Sequence, residues 1–510
     1  MSIVLGLDIG TSGAKAIAIE ESGALVASAL VEYPLHAPRP GWAEQDPADW
    51  KEAAFDTLAR IAKTLGDRVR DVKALGLTGQ MHGSVFLDPD GRVIRPALLW
   101  CDQRTAPQCD AITERVGERK LIEMVCNPAL TGFTAPKILW LRDEEPANYA
   151  RVAKVLLPKD YVRYVLTGEF ATDVADASGT LLFDVRNRCW RQDLMSMLDI
   201  DPAFMPPAFE GPEITGRLTA HAAARTGLPK DLPVAAGGGD QAAGGVGCGI
   251  VKPGVLSSTL GTSGVVFAHA DEITMDPEGR VHTMCHAAPG KWHVMGCMLS
   301  AGGSLRWFRD ALCDAERSVG AVTGHDPYEY ITQAAAAISP GAEGLLFLPY
   351  LTGERTPHRD PYAKGAFIGL SLRHTRAHMA RAVLEGVAFG MADGLAVIRE
   401  IGVPVEQVRA SGGGARSALW RQIQADVYGL PMSTINVDEG PAYGAALLAA
   451  VGAGLYASVP EACDATIRVV DQCDPDPADS GAYAEWFEEY RAAYRALAPG
   501  FRRCAEMLAE

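Results

Sequence analysis

The chain has 510 residues, 48% of them hydrophobic and 22% charged, and its formal net charge is −16. A single hydrophobic core stops growing at roughly 250–300 residues, so this length predicts two domains. The acidic excess argues against a general nucleic-acid surface or a binder of anionic membranes, but it still allows one small anionic ligand held by local groups. Irregularly spaced cysteines without a zinc pattern, and an N-terminus without a secretory signal, predict a cytoplasmic protein with reduced thiols.

The first elements are predicted to be an antiparallel meander followed by a helix. Three apolar runs are joined by short turns within residues 3–31. Asp46 suits a helix N-cap and Pro47 the first helical position, and apolar residues then follow at spacings of three and four up to Leu65. Another apolar strand, 72–77, comes next. This order of strands and helices is typical of an α/β fold.

The opening pattern recurs in the middle of the chain. The sequence Gly-Thr-Ser-Gly occurs at 10–13 and at 261–264, each time between apolar runs. Because the two copies lie about half the chain apart, we interpret them as a duplicated domain. The predicted domains are 1–246 and 247–460, followed by an acidic linker and a C-terminal helix in 461–510.

Two later segments are predicted to be long helices. Residues 376–401 carry an apolar face at helical spacing, and Gly402 is placed to end the helix. Residues 440–460 contain no charged side chain but are mostly Ala and Gly, and this composition favours a buried, close-packed helix over a membrane span.

The C-terminal region is predicted to begin with a linker. Residues 471–480 are acidic and broken by proline. A helix follows over 482–498, and the pair Pro499-Gly500 is expected to stop it, leaving 501–508 as a short final helix.

Three glycine-rich turns that follow strand-like runs are candidate phosphate sites, at 10–13, 261–264 and 411–414. Glycines let backbone N–H groups approach an oxyanion, and Thr or Ser adds a hydroxyl donor. None of the turns is a Walker A loop or a dinucleotide-binding fingerprint, and a plain hairpin is the alternative for each. Lys15, on the strand after the first turn, is either a phosphate-neutralising cation or a solvated strand lysine.

Two aspartates are candidates for the chemistry. Asp8 ends a strand at the first turn, where a carboxylate can hold Mg²⁺ beside phosphates, directly or through water; a turn-forming role is the alternative. Asp240 follows three glycines, where few side chains crowd it and a substrate hydroxyl can approach. It is therefore a candidate base for phosphoryl transfer, with a polar residue in a domain-junction loop as the alternative.

Planar and bidentate polar groups of the kind found in sugar sites occur in two short stretches, 42–45 and 100–104. Each is weak alone, because a lone tryptophan usually belongs to a core and a lone histidine is usually structural. The candidates are Gln80, Met81, His82, Trp100, Asp102 and Arg104.

Taken together, the motifs resemble those of the FGGY carbohydrate kinases, which have the actin/hexokinase/Hsp70 fold. The resemblance covers about 3–457 and rests on the duplicated Gly-Thr-Ser turns, the Gly-Gly-Gly-Asp sequence ending at Asp240, and Gly-Gly-Gly-Ala-Arg-Ser at 412–417. Longer family patterns are present at 132–140 and 365–386. The resemblance implies an α/β fold of two related, ribonuclease H-like domains with a central cleft.

Further stretches are similar to those of family members that phosphorylate D-xylulose; they lie at 42–47, 79–83, 157–161 and 351–358. The Gln-Met-His turn is the most telling of them, because glycerol kinases carry an Arg-Glu pair there. The resemblance implies transfer from ATP to the 5-hydroxyl of the ketose. In that reaction Met81 and His82 contact the sugar, and Asp240 accepts the hydroxyl proton.

For the nucleotide, the resemblance implies ATP in the cleft, with Mg²⁺ near Asp8. Ser417 stands where glycerol kinases have an asparagine, which leaves the adenine contact there open. The expected ATP-binding residues are Thr11, Ser12, Lys15, Gly261, Thr262, Gly413, Gly414 and Ser417.

Two other functions stay open at this point. One is a kinase for another ketose or polyol, such as ribulose or glycerol. The other is an ATP-switched scaffold of the Hsp70 or actin kind, although the short stretch after residue 460 leaves little chain for a further binding domain. No nucleic-acid or membrane partner is expected, and a homodimer is left open.

Overall fold

The computed structural model describes residues 2–509, which form two compact units. Each unit is assembled from three segments of the chain, whereas the predicted domains were continuous. Unit 1 contains residues 2–252, 269–293 and 439–468, and unit 2 contains residues 253–268, 294–438 and 469–509.

The strands are short to medium in length and occur throughout the chain. In chain order they are β1 (Ile3–Ile9), β2 (Gly13–Glu20), β3 (Leu25–Glu32), β4 (Glu44–Gln45), β5 (Val72–Gly79), β6 (Val85–Leu87), β7 (Ala97–Leu98), β8 (Lys154–Leu156), β9 (Thr172–Asp173), β10 (Phe183–Asp184), β11 (Cys189–Trp190), β12 (Ala208–Phe209), β13 (Ile214–Arg217), β14 (Pro233–Gly239), β15 (Gly254–Leu260), β16 (Gly264–Ala270), β17 (His282–Cys285), β18 (Trp292–Met298), β19 (Leu346–Leu348), β20 (Ala366–Ile368), β21 (Val405–Ser411), β22 (Met432–Ile435) and β23 (Val469–Cys473).

Helices and strands are interspersed along the chain, which agrees with the α/β prediction. They are α1 (Pro47–Leu65), α2 (Ala106–Val116), α3 (Glu118–Val125), α4 (Thr134–Glu144), α5 (Pro146–Tyr149), α6 (Pro158–Thr167), α7 (Val174–Ser178), α8 (Gln192–Met197), α9 (Ala220–Thr226), α10 (Asp240–Gly247), α11 (Gly302–Leu312), α12 (Asp314–Thr323), α13 (Pro327–Ala336), α14 (Arg376–Glu400), α15 (Ala418–Tyr428), α16 (Gly440–Gly452), α17 (Val459–Thr466) and α18 (Pro477–Ala509).

Unit 1 is built on a six-stranded sheet with the strand order β13–β14–β5–β1–β2–β3. Strands β1, β2 and β3 form the predicted antiparallel meander, and β5 and β14 continue the sheet parallel to β1. The register places Asp8 opposite Thr78 and Gly239 opposite Gly79. Three neighbouring strands therefore end at the same edge of the sheet.

Helices α1 and α16 both pack on this sheet. Asp46 caps α1 as predicted, accepting a hydrogen bond from the N–H of Ala48 at 2.9 Å, and Trp50 and Phe55 are buried on the inner face of that helix. Helix α16 approaches so closely that a Cβ added at Gly6 would lie 1.9 Å from the carbonyl oxygen of Ala442. Residues 440–452 are therefore a buried, close-packed helix, as predicted, but the helix ends at Gly452 and does not continue to residue 460.

The strands of unit 2 repeat the arrangement of unit 1. Strands β15 and β16 form an antiparallel hairpin around the second Gly-Thr-Ser-Gly turn. Strand β21 lies parallel to β15, and β22 lies parallel to β21. This is the pattern of β1, β2, β5 and β14, and it agrees with a duplicated fold.

The long helix α14 confirms the prediction for 376–401, and Thr375 and His378 close a capping box at its start. Across residues 2–509, no helix combines the length and the apolar character that a membrane crossing requires.

Two predictions for the C-terminal region are wrong. Residues 469–473 form the strand β23, which pairs with β22, and helix α18 begins at Pro477, so the predicted linker 471–480 is mostly strand and helix. Its side chains are largely exposed, and an exposed edge strand lacks the alternating apolar pattern that would have revealed it.

The second error is at Pro499, which lies inside helix α18 and does not end it. A proline removes one backbone hydrogen bond from a helix and costs roughly 3 kcal/mol. Upstream contacts hold this helix: the Tyr483 hydroxyl donates to Glu385 Oε1 at 2.8 Å, and Arg491 Nε donates to Asp393 Oδ1 at 2.7 Å.

Candidate active site

The two predicted catalytic aspartates and the turn that begins at Gln80 meet at one edge of the sheet of unit 1. Asp8 lies near the end of β1, Gln80 directly follows β5, and Asp240 directly follows β14. These strands are neighbours and run parallel, so their carboxyl ends lie side by side. Ligand sites of open α/β sheets are found at such edges.

The three glycines before Asp240 are required by close packing. Gly237 has φ 75°, and a Cβ there would lie 1.7 Å from the carbonyl oxygen of Leu77. A Cβ added at Gly239 would lie 2.8 Å from Cγ of Met81. Met81 therefore packs on the residue that precedes Asp240, which brings two of the predicted site residues together.

Burial changes the acidity of both aspartates. It raises the pKa of Asp240 to about 6, and hydrogen bonds from Gln241 partly oppose this. Burial also raises the pKa of Asp8 to about 7; repulsion from Asp240 adds to the effect, and the charge of Lys15 opposes it. A carboxylate with a pKa near 6 is largely ionised at neutral pH and can accept a proton.

Asp8 also has the properties of a magnesium ligand. Its Oδ1 is buried and has no hydrogen-bond partner within residues 2–509. In that part of the chain, no group of three or more His, Cys, Asp or Glu side chains could hold a metal ion alone. Magnesium is usually bound by one or two carboxylates together with substrate phosphates and waters, so a single carboxylate at a phosphate site fits it.

The first Gly-Thr-Ser-Gly turn is tied to its surroundings through Thr11. Trp100 Nε1 donates to Thr11 Oγ1 at 3.0 Å, and Thr11 Oγ1 donates to Gln80 Oε1 at 3.3 Å. Gln45 Nε2 donates to the Thr11 carbonyl at 2.7 Å, while Ser12 is exposed. Trp100 and Gln80, predicted to contact sugar, thus hold the turn. Gln45, from the stretch 42–45 that also has the character of a sugar site, belongs to the same network.

Lys15 forms an ion pair with Glu439 within unit 1. Its charge is therefore partly compensated by the protein itself. The role at a phosphate expected for Lys15 stays a prediction.

Asp102 and Arg104 form a buried ion pair. Arg104 donates to both carboxylate oxygens of Asp102, and its Nη1 donates to Glu44 Oε1 at 2.7 Å. The guanidinium lies 3.5 Å from the ring centroid of Trp42, and Asp102 also accepts from the N–H of Ala43 at 2.6 Å. These contacts show that the pair holds neighbouring segments of the protein together. Its predicted contact with sugar stays a prediction.

His82 is buried beside Met81, in a turn with φ 67°. Its Nδ1 lies 2.7 Å from the carbonyl oxygen of Gly179, which can only accept, so this nitrogen carries a proton. The ring contacts Phe133 edge to face, with centroids 4.9 Å apart.

In unit 2, the predicted ATP-binding residues line one cavity of about 580 Å³. The volume lies within the range of small-molecule sites. Ser417 also caps α15, accepting from the N–H of Trp420 at 3.3 Å. The predicted residues around the cavity are Gly261, Thr262, Gly413, Gly414 and Ser417.

Two cations of this cavity were not predicted from the sequence. Arg306, on α11, lines it and donates to Thr262 Oγ1 at 3.3 Å, and Arg416 lines it as well. The first residue of α11, Gly302, donates its N–H to the Gly261 carbonyl at 2.8 Å. The glycine pair at 302–303, which follows the apolar strand β18, is the sequence feature that could have pointed to this part of the cavity wall.

Comparisons with known proteins agree with this geometry. The model for the N-terminal domain of the FGGY family of carbohydrate kinases matches residues 3–247, and the model for its C-terminal domain matches 256–453. The chain is 42% identical over 498 residues to the xylulose kinase of Escherichia coli (strain K12), which covers 97% of this chain and 99% of that protein. It is 38% identical over 494 residues to the xylulose kinase of Bacillus subtilis (strain 168), over 97% of both chains.

Among solved structures, the xylulose kinase from Rhodospirillum rubrum superposes with a TM-score of 0.90 at 33% identity, covering 98% of this chain and 100% of that one. The two family models together span most of the chain. The chain therefore belongs to the FGGY family of carbohydrate kinases.

Proposed function

We propose that this carbohydrate kinase transfers the γ-phosphoryl group of ATP to the 5-hydroxyl of D-xylulose. The observation that carries the proposal is the meeting of Asp8, Asp240 and the Gln80–His82 turn at the carboxyl edge of three parallel strands. The choice of sugar is supported by relatives that are named xylulose kinases and match nearly the whole chain.

Asp240 is the proposed base. As the sugar oxygen bonds to the γ-phosphorus, its proton passes to a carboxylate oxygen of Asp240, and the bond from the γ-phosphorus to the bridging oxygen of ADP breaks. Such proton transfer contributes about 10²–10⁴-fold to a rate. Met81 and His82 are proposed to hold the sugar so that this hydroxyl faces Asp240.

The cavity of unit 2 is proposed to bind the nucleotide. Its glycine turns offer backbone N–H groups to phosphate oxygens, and Arg306 and Arg416 supply positive charge in the same cavity. Tyr328 and Trp420 offer flat, apolar surfaces suited to a base. The local groups thus meet an anionic ligand despite the net charge of −16.

Magnesium is proposed to be held by Asp8 together with phosphate oxygens and water. When bound, it would neutralise charge on the phosphates. Lys15 lowers the pKa of Asp8 and so favours the ionised carboxylate that a cation requires.

The test is an ADP-release assay over D-xylulose, L-ribulose, glycerol and D-gluconate, each at several concentrations with Mg·ATP. We expect the highest kcat/KM for D-xylulose. A clear preference for another sugar or polyol would overturn the substrate, and ADP release without formation of a sugar phosphate would overturn the transfer reaction.

A further inference from the structure

The turn that carries His82 has an unusual backbone. The N–H of Gly83 donates to the carbonyl of Met81 at 2.8 Å, which closes a three-residue turn around His82. His82 has φ 67°, in the left-handed region that residues other than glycine seldom occupy. Such strain persists only where neighbours impose it, and it is often found at ligand sites.

Several neighbours that fix this conformation come from one short segment, residues 132–137, which we call the His82 cradle; the Gly179 carbonyl binds the ring separately. Lys137 Nζ donates to the carbonyl of His82 at 2.8 Å and to the carbonyl of Gly132 at 2.6 Å. Thr134 Oγ1 donates to the same His82 carbonyl at 3.1 Å. The ring of Phe133 packs against the imidazole. The cradle thus contacts both the backbone and the ring of His82.

Burying the side chain of Lys137 has a large desolvation cost, which a merely structural role does not explain. It is fully buried, and within residues 2–509 it forms no ion pair with an acidic side chain. Burial lowers its pKa to about 7, although the nearby charge of Asp102 acts in the opposite direction. An apolar side chain would fill this space without the desolvation of an ammonium group, so the amine is retained for the two carbonyls that it binds.

We infer that Lys137 is a positioning residue that sets the affinity for sugar by holding His82 in its left-handed turn. Thr134 assists from the same helical turn of α4. This inference rests on the proposed function, because it takes His82 to be a sugar contact. It adds that the strength of this contact is set by a buried amine that itself touches no substrate.

The experiment is a double-mutant cycle on sugar binding, measured by calorimetry with D-xylulose and no nucleotide. The four proteins are the unmodified chain, Lys137→Met, His82→Ala and the double variant. We expect Lys137→Met to weaken binding by about 5- to 150-fold, the equilibrium equivalent of the strain stored at one such residue. With His82→Ala already present, the further loss should be at least about threefold smaller.

Three results separate the possibilities. Equal fold losses from Lys137→Met in both backgrounds, or no loss in either, would overturn the inference. Unchanged sugar binding in His82→Ala would overturn the assignment of His82 within the proposed function, whatever Lys137 does. Lys154→Met is the matched control, because Lys154 also donates to a backbone carbonyl, that of Ala203 at 2.6 Å, but is far less buried; it should bind sugar normally.

If Lys137→Met does not fold, the pair Thr134→Val and Thr134→Ser replaces it. Valine keeps the shape of the threonine side chain but lacks the hydroxyl donor, whereas serine keeps the donor. We expect sugar binding to weaken in Thr134→Val and to be largely preserved in Thr134→Ser. Equal binding by the two variants would contradict the inference.

Discussion

The two Gly-Thr-Ser-Gly turns have identical sequences and different surroundings. In unit 1, Thr11 is engaged by Trp100 and Gln80 within the protein, and an aspartate, Asp8, precedes the turn. In unit 2, Thr262 lines a cavity of about 580 Å³ and accepts a hydrogen bond from Arg306. Both turns join two antiparallel strands, but the side chains around them differ.

The positions that flank the turns show the same divergence. The residue of unit 2 that corresponds to Asp8 is Thr259, whose hydroxyl lies 2.7 Å from that of Ser411. The residue that corresponds to Lys15 is Val266, which is buried. Unit 2 therefore lacks the ionisable pair of unit 1. This difference agrees with the proposal that the turn of unit 2 binds the nucleotide and that Asp8, beside the turn of unit 1, holds the metal.

The largest effect is expected in unit 1, at Asp240. Asp240→Asn removes the proposed base but keeps the size and polarity of the side chain, so kcat should fall by about 10²–10⁴-fold. Sugar binding should persist. Steady-state kinetics and sugar calorimetry on the same preparation check this, and near-normal turnover would show that Asp240 is not the base.

The next prediction compares Asp8 with its counterpart in unit 2. Asp8→Asn should lower kcat by about 10²-fold at a fixed Mg²⁺ concentration, since an electrostatic contact to the reacting phosphates is lost. Thr259→Val changes the corresponding position of unit 2. Its kcat should stay within about threefold of the kcat of the unmodified chain. A magnesium titration of both variants measures this. Similar losses at the two positions, or a loss confined to the KM for sugar in Asp8→Asn, would contradict the division of tasks.

A smaller effect is expected at the nucleotide cavity. Arg306→Met should weaken ATP binding by about tenfold, because a charge-assisted hydrogen bond contributes roughly 1.5–3 kcal/mol and the site is partly open to solvent. Adenosine, which has no phosphate, should bind almost as before. Calorimetry with ATP and adenosine makes the comparison, and Arg317→Met, at an exposed arginine of α12, serves as the control. Equal weakening for both ligands would indicate a packing defect and not a phosphate contact.

The pH dependence should reflect the raised pKa values of unit 1. A base acts only when deprotonated, so at saturating Mg·ATP the kcat/KM for sugar should be constant at higher pH and fall as the pH drops through about 6, where Asp240 takes up a proton. An acid limb near pH 4, the usual range for aspartate, would contradict the buried environment. Thermal unfolding at each pH excludes acid denaturation as the cause.

Local patterns in the sequence predicted much of the fold. The meander of unit 1, the cap at Asp46 and the buried helix α16 follow from apolar spacing and from single residues with strong backbone preferences. The full length of helix α18 does not follow from local patterns. Contacts between residues distant in sequence, such as Arg491 with Asp393, stabilise the helix, and it continues past Pro499. Tertiary contacts overrode the local signal there.

The candidate site was predictable only in part, for the same reason. Asp8 and Asp240 are marked by the glycines and strands next to them. Lys137 and Arg306 act through partners far away in the chain, the His82 carbonyl and the Thr262 hydroxyl, and spacing cannot reveal such pairs. Trp100 differs from its prediction in another way. It was predicted to contact the sugar, but its side chain binds Thr11 in the turn that was predicted to bind phosphate.

The central claim, that unit 1 carries out the transfer to the sugar, is tested most directly by nuclear magnetic resonance of the reaction product. D-xylulose labelled with ¹³C at carbon 5 would be incubated with Mg·ATP and either the unmodified chain or Asp240→Asn. The account predicts a carbon-5 signal split by ³¹P with the unmodified chain, and formation of that signal at least about 10²-fold slower with Asp240→Asn. Equal rates for the two proteins, or ADP and inorganic phosphate without any splitting at carbon 5, would contradict it.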